Sequence, residues 1–239
     1  GKQLPQKLSP KRSAFSKKGG GCGGCDIVYI HNLPVGGPTL FIMSSLTSTP
    51  LQIVSPWTNS NNFQGWIVNG EVAKFDKKLW VTLRRNPGQG IEIAIAELEL
   101  NANCDGVTLS KIMPFSCSPY PNNGYLAGGG NPVSISATAK DSTTLIGTFR
   151  LQVSVDPSQL YRVVEIDVSG ANAIGTEVYL SPMNSPSGSA IASDIVYLPD
   201  SNSIVGVHSS TGDIAWWDHA TGNIISQQNY PTIESYAVF

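Results

Sequence analysis

The chain has 239 residues, of which only 13% are charged, about half the ~25% usual for soluble domains, while 42 are Ser or Thr and 40 are Gly or Pro. The long Glu, Lys, Ala and Leu runs of surface helices are missing and turn formers abound, which excludes a helical bundle and favours an all-β domain with long loops. The net charge of −2 divides into six cations and no acid over residues 1–18 and −8 over the rest, with no Lys or Arg after Arg162, so the body repels nucleic acid and only the amino-terminal arm is basic enough to touch it. No stretch approaches the ~18 apolar residues that cross a bilayer, and the basic amino terminus has no apolar h-region. A soluble chain with no secretory signal and no membrane insertion is expected. The 16 Asn residues include no Asn-x-Ser/Thr acceptor, which leans towards synthesis and assembly in the cytosol.

Residues 1–25, with two Pro, a basic cluster and a Gly-rich end, read as a flexible arm or linker ahead of a β body over residues 26–239. Its dibasic steps Lys11-Arg12 and Lys17-Lys18 are the places where a trypsin-like protease would cut. Asp26–His31 and Thr39–Leu46 are predicted strands around a Pro34–Pro38 turn, and Gln64–Val68 leads into Asn69-Gly70, the strongest two-residue hairpin signal. Leu79–Leu83 is a strand ending in the turn Arg84–Gly88.

Ile91–Leu100 places Ile91, Ile93 and Ile95 on one face and then changes parity, so that Leu98 and Leu100 fall on the other. A strand with a bulge near Ala96–Glu97 is favoured over a short helix. Between Ser116 and Asn131 the long loop carrying Tyr120 and Tyr125 has the length of a functional or mobile segment. Val133–Ala139 alternates, and Thr148–Val155 sets Phe149, Leu151, Val153 and Val155 against Thr148, Arg150, Gln152 and Ser154, the pattern of a half-buried antiparallel strand. Tyr161–Val168, Thr176–Leu180, Ile191–Leu198, Ser203–His208, Asp213–Trp217, Asn223–Ser226 and Ser235–Phe239 complete about a dozen strands, an antiparallel sandwich or barrel.

Among chemically active residues, Cys22-Gly-Gly-Cys25 has the spacing of half a zinc site, but Cys104 and Cys117 do not supply a matching second pair, so no metal site is expected. A disulfide between Cys104 and Cys117 is the minor reading beside reduced thiols. His31 and His208 end strands and read as structural. Asp213, Asp218 and His219 form the one acidic and imidazole cluster, beside Trp216-Trp217, and no nucleophile, zinc or phosphate-loop motif accompanies it. Glu97 and Glu99 share a strand face about 7 Å apart, the arrangement of a glycosidase pair and, more commonly, of two acids on a solvated face. The echo of Ser210-Thr-Gly-Asp-Ile214 in Ala220-Thr-Gly-Asn-Ile224 describes a meander with tight turns. Its Trp217-Asp218 ending is similar to a WD-repeat blade, but no ~40-residue repeat follows it. Adjacent Trp residues on a strand point to opposite faces, so one of Trp216 and Trp217 belongs in the core and the other faces solvent or a partner. With Trp57, Trp66, Tyr120 and Tyr125 they are the candidate recognition anchors.

A basic, protease-sensitive, Gly-rich arm followed by an acidic, hydroxyl-rich β body without sequon or catalytic motif resembles the protruding domain of a non-enveloped virus capsid, and most of all an astrovirus capsid spike. The resemblance rests on the organisation of the whole chain. It implies a homodimeric β-barrel-like spike on the virion surface, part of a longer capsid protein assembled in the host cytoplasm. Such a spike presents antigenic surface and binds a host cell-surface receptor, protein or glycan, after trypsin-like cleavage, for which Lys11, Arg12, Lys17 and Lys18 are the matching positions. No catalytic residue and no cofactor is expected. The alternatives are a carbohydrate-binding module or lectin of non-viral origin and, third, a hydrolase built on Glu97 and Glu99 or on Asp213, Asp218 and His219.

Overall fold

Strand follows strand along the chain because β-branched and aromatic residues are spaced by Gly, Asn, Asp and Ser turns, and the fold is all-β. The computed structural model describes residues 27–33, 37–43, 51–53, 66–85, 92–100, 106–118, 136–150, 161–182, 194–208 and 213–229. The arm, Trp57, Tyr120, Tyr125, Cys22, Cys25 and Cys104 lie outside these residues, as does the strand expected at Ser235–Phe239.

Strands β1 (Ile27–Leu33), β2 (Gly37–Met43) and β3 (Leu51–Ile53) form an antiparallel sheet in that order. The principal sheet contains β4 (Ile67–Phe75), β5 (Lys78–Arg85), β6 (Glu92–Leu100), β7 (Val107–Ser118), β8 (Ser136–Ala139), β9 (Thr144–Arg150), β10 (Tyr161–Asp167) and β11 (Ala173–Leu180). Its order is β4-β5-β6-β7-β11-β10-β9-β8, so two meanders run in from opposite ends and meet at β7 and β11. That seam is parallel, pairing Phe115–Ser118 with Ala173–Thr176. The end strands β4 and β8 also approach each other, curling the sheet into a nearly closed barrel. A four-stranded antiparallel meander follows, β12 (Asp194–Leu198), β13 (Ser203–His208), β14 (Asp213–Asp218) and β15 (Ile224–Asn229), as the Thr-Gly echo predicts.

The barrel interior is one apolar cluster drawn from both meanders, including Trp80, Ile93, Ile95, Met113 and Phe115 from one and Leu145, Val164 and Ile166 from the other. A second cluster, with Leu79, Val81, Leu83, Ala94, Ala96, Leu98 and Leu100, lies on the outer face of β5 and β6. A third joins Ile146 and Val163 on the barrel wall to Ile195, Ile204, Ala215 and Trp217 of the second sheet. The edge of β12 is sealed by side chains of β8: the Ile195 N–H donates to Ser136 Oγ at 3.0 Å and the Tyr197 N–H to Thr138 Oγ1 at 3.3 Å. Some of the Ser and Thr that make the sequence polar without charge are thus internal partners for backbone groups.

Several expectations are corrected by this packing. Asn69-Gly70 is not the hairpin turn. β4 runs through it with a shift of register between Val68 and Val72, and the chain reverses at Asp76-Lys77, where Asp76 takes a φ of 53°. Asn-Gly tolerates positive φ, but so does Asp, and the pairing of Val72 through Phe75 with Lys78 through Val81 decides between them. The parity change in β6 reflects a strand buried on both faces, with Ile93 and Ile95 inside the barrel and Leu98 and Leu100 outside it. The bulge sits opposite, in β7, where Lys111 pairs with Glu97 and Leu109 with Leu98, leaving Ser110 over. β9 is likewise covered on both sides: Thr148, expected on a solvated face, is 1% exposed because the second sheet lies over it. Within the loop expected from Ser116, β7 continues to Ser118.

Candidate functional site

The outer face of the β12–β15 sheet is built by the alternation in β14. Ala215 and Trp217 point into the third core, and Ile214 and Trp216 point away from it. Trp217 is 0% exposed and Trp216 39% exposed, so the adjacent pair divides as expected and Trp217 serves the core. In register, Trp216 lies between Val205 of β13 and Ser226 of β15, and Ile214 lies opposite Gln228. These five residues line a shallow groove of about 250 Å³. Beside it β15 is exposed along its whole length, including its apolar residues Ile224 and Ile225.

Behind this face a chain of hydrogen bonds ties the sheet to the barrel wall. The Trp217 indole N–H donates to the Tyr179 hydroxyl at 3.0 Å, and that hydroxyl lies 3.3 Å from His219 Nδ1. His219 Nε2 reaches Glu165 Oε1 at 2.8 Å, which also accepts from Lys140 Nζ at 2.6 Å. A neutral imidazole protonated at Nε2 satisfies every link, with the Tyr179 O–H donating to Nδ1. Tyr197 packs edge-on against the same imidazole. Burial pushes the Tyr179 phenol up to about 12, its hydrogen bond from Trp217 offsetting part of the rise. Burial pushes the Glu165 carboxyl upward, but the hydrogen bonds from Lys140 and His219 outweigh it and hold the group below its usual range. Over this chain folds the turn from Asp218 to Asn223. Gly222, at φ +73°, sits so close that a Cβ there would lie 2.8 Å from the Tyr179 ring, which explains the Gly of the second Thr-Gly step.

His219 is only 4% exposed, and both ring nitrogens are engaged internally. Asp218 turns to Thr221, accepting from its N–H and its hydroxyl at 2.8 Å, which holds the carboxyl below its usual range. Asp213 accepts from the Asn229 amide at 2.7 Å. The three members of the expected cluster therefore face three different ways. Among the described residues no three His, Cys, Asp or Glu side chains gather as metal ligands.

Glu97 and Glu99 do not share a solvated face. Glu97 is 6% exposed at one end of the barrel interior, between its strand neighbours Trp80 and Lys111. The Trp80 indole donates to it at 3.3 Å, with Lys78 at 3.6 Å and Lys111 at 3.7 Å. Lys111 also donates to the carbonyls of Val168 and Gly170 at 2.8 and 2.9 Å, closing the barrel end. Glu99 faces solvent. At the other end of the interior row, Arg162 forms an ion pair with Glu177 at 3.1 Å. Trp66 packs against the second core with the Arg85 guanidinium 4.4 Å above its ring. Cys117 is buried in the barrel core, and Cys104, the other half of the minor disulfide reading, lies outside the described residues. Tyr179, Glu165 and Lys140 carry no motif that singles them out in the sequence.

No family model matches the chain, and no curated protein matches it. Among solved structures it is similar to apo prolyl oligopeptidase B from Galerina marginata, at a TM-score of 0.41 and 12% identity, covering 84% of this chain and 25% of that one. It is also similar to the Nup133 β-propeller domain from Vanderwaltozyma polyspora, at a TM-score of 0.40 and 11% identity over 84% of this chain and 57% of that one. The chain thus spans a quarter of the peptidase and rather more than half of the propeller domain.

Proposed function

We propose that this chain is a non-catalytic recognition domain, the receptor-binding spike of a non-enveloped virus capsid protein, and that it engages its ligand through the outer face of the β12–β15 sheet. The observation that carries the reading is Trp216, 39% exposed in the middle of that face beside the groove. Its backbone is held by Trp217 anchoring the same strand in the core and by the Tyr179–His219–Glu165 chain behind. A large aromatic on a rigid support is the commonest kind of binding hot spot, because its area is desolvated with little loss of side-chain freedom. The division into a cationic arm and a body of charge −8 supports the spike assignment. Homodimerisation and attachment to a longer capsid protein belong to the same proposal.

The test is attachment of the labelled chain to a panel of cultured cells, compared with Trp216→Ala. Loss of about tenfold or more in attachment, with an unchanged melting temperature, supports the reading. Equal attachment by the two proteins would remove the outer face from the mechanism and overturn it.

A further inference from the structure

The groove beside Trp216 restricts the chemistry of what it can take. Its lining of Val205, Ile214, Trp216, Ser226 and Gln228 contains no charged side chain. No Lys or Arg occurs anywhere after Arg162, so the four strands of this sheet offer an anionic ligand neither an ammonium nor a guanidinium group. They instead carry Asp194, Asp213 and Asp218, whose field opposes it. A cationic ligand fares little better. Asp218 shares the strand with Trp216, but one of its oxygens is committed to the Thr221 turn, and among the described residues no acid lines the groove where a cation over the indole would have to shed water.

What remains is a neutral ligand with one apolar face and a rim of hydroxyls. The indole and the Val205 and Ile214 side chains supply the apolar floor. Ser226 and Gln228, from β15, supply a hydroxyl and an amide along one side, groups that both donate and accept. A volume of about 250 Å³ lies below the ~300–1,000 Å³ of sites for drug-sized molecules, which suits a single ring. We infer that the groove is a subsite for one uncharged pyranose ring of a neutral glycan, stacked by its C–H face on Trp216 and hydrogen-bonded at its rim to Ser226 and Gln228, and that sialylated and sulfated sugars are excluded from it. This inference rests on the proposed binding role of the same face and names its ligand class.

The experiment is binding of the full chain to immobilised neutral oligosaccharides and to their sialylated and sulfated counterparts, repeated with Trp216→Ala and Gln228→Ala. Binding to neutral glycans is expected, falling about tenfold or more in Trp216→Ala, with a smaller loss in Gln228→Ala. Adding a sialic acid or sulfate to the terminal ring is expected to lower binding by a similar factor. Trp216-dependent binding to sialylated or sulfated glycans in preference to neutral ones would overturn the inference and leave the recognition role standing. So would failure to bind any glycan while cell attachment still depends on Trp216. If attachment is indifferent to Trp216, both readings fall.

Discussion

Replacing Tyr179 with Phe removes one oxygen from the chain that joins the second sheet to the barrel and leaves the ring in place. The Trp217 indole N–H, wholly buried, then loses its acceptor, and the buried His219 Nδ1 loses the hydroxyl 3.3 Å away. Each unsatisfied buried group costs about 1–3 kcal/mol, and release of the phenol from its own desolvation offsets part of that, so a net loss of about 2–4 kcal/mol is expected. For a chain of this size each kcal/mol is worth roughly 2–4 °C, and the melting temperature at pH 7 should fall by roughly 5–15 °C. Circular dichroism and calorimetry on the two proteins measure it. The folded phenol titrates near 12 against 10.0 for an unperturbed tyrosine. Its contribution is therefore present in full below pH 10 and disappears as the pH rises from 10 to 12. The full shift corresponds to about 2.7 kcal/mol, which partial solvent contact reduces to about 1–2 kcal/mol. The wild type should lose that much more stability than Tyr179→Phe across this window, narrowing the gap between them. Melting within 1 °C or so of the wild type at pH 7, with no narrowing at high pH, would refute the hydrogen-bonded tie.

Two further substitutions probe the barrel. Lys111→Met strips Glu97 of one of its cations and frees the Val168 and Gly170 carbonyls, and a loss of about 3 kcal/mol is expected in urea unfolding. The double variant with Glu97→Gln should cost at least about 1 kcal/mol less than the sum of the two single changes, and additivity would show the pair to be uncoupled. Gly175→Ala places a methyl 2.9 Å from Phe115 Cζ and Val164 Cγ1 inside the barrel. A loss of about 1–3 kcal/mol is expected, and an unchanged urea midpoint would mean that this wall has room to give.

The strand-rich character, the meander around the Thr-Gly steps and the division of labour between Trp216 and Trp217 were legible because they rest on local alternation and turn chemistry. What went unread depends on partners far away in sequence. β7 is absent from the predicted strands, and its place is set by distant partners, β6 along most of its length and β11 from Phe115 onward. Glu97 looks like a surface acid until Trp80 and Lys111, from the strands on either side, are brought against it. His219 finds Tyr179 and Glu165 across 40 and 54 residues, and no spacing rule links residues that far apart.

The seam between β7 and β11 has a bearing on how the molecule comes apart. Each meander, β4 to β7 and β8 to β11, is zipped by neighbours in sequence and should assemble quickly by itself, whereas the two contacts that join them span some sixty residues of chain and come later. Neither half can bury its inner face without the other, since the interior draws on both. A chain cut once between Ser118 and Ser136 would therefore be expected to persist as a two-fragment complex, parting only when the whole barrel melts.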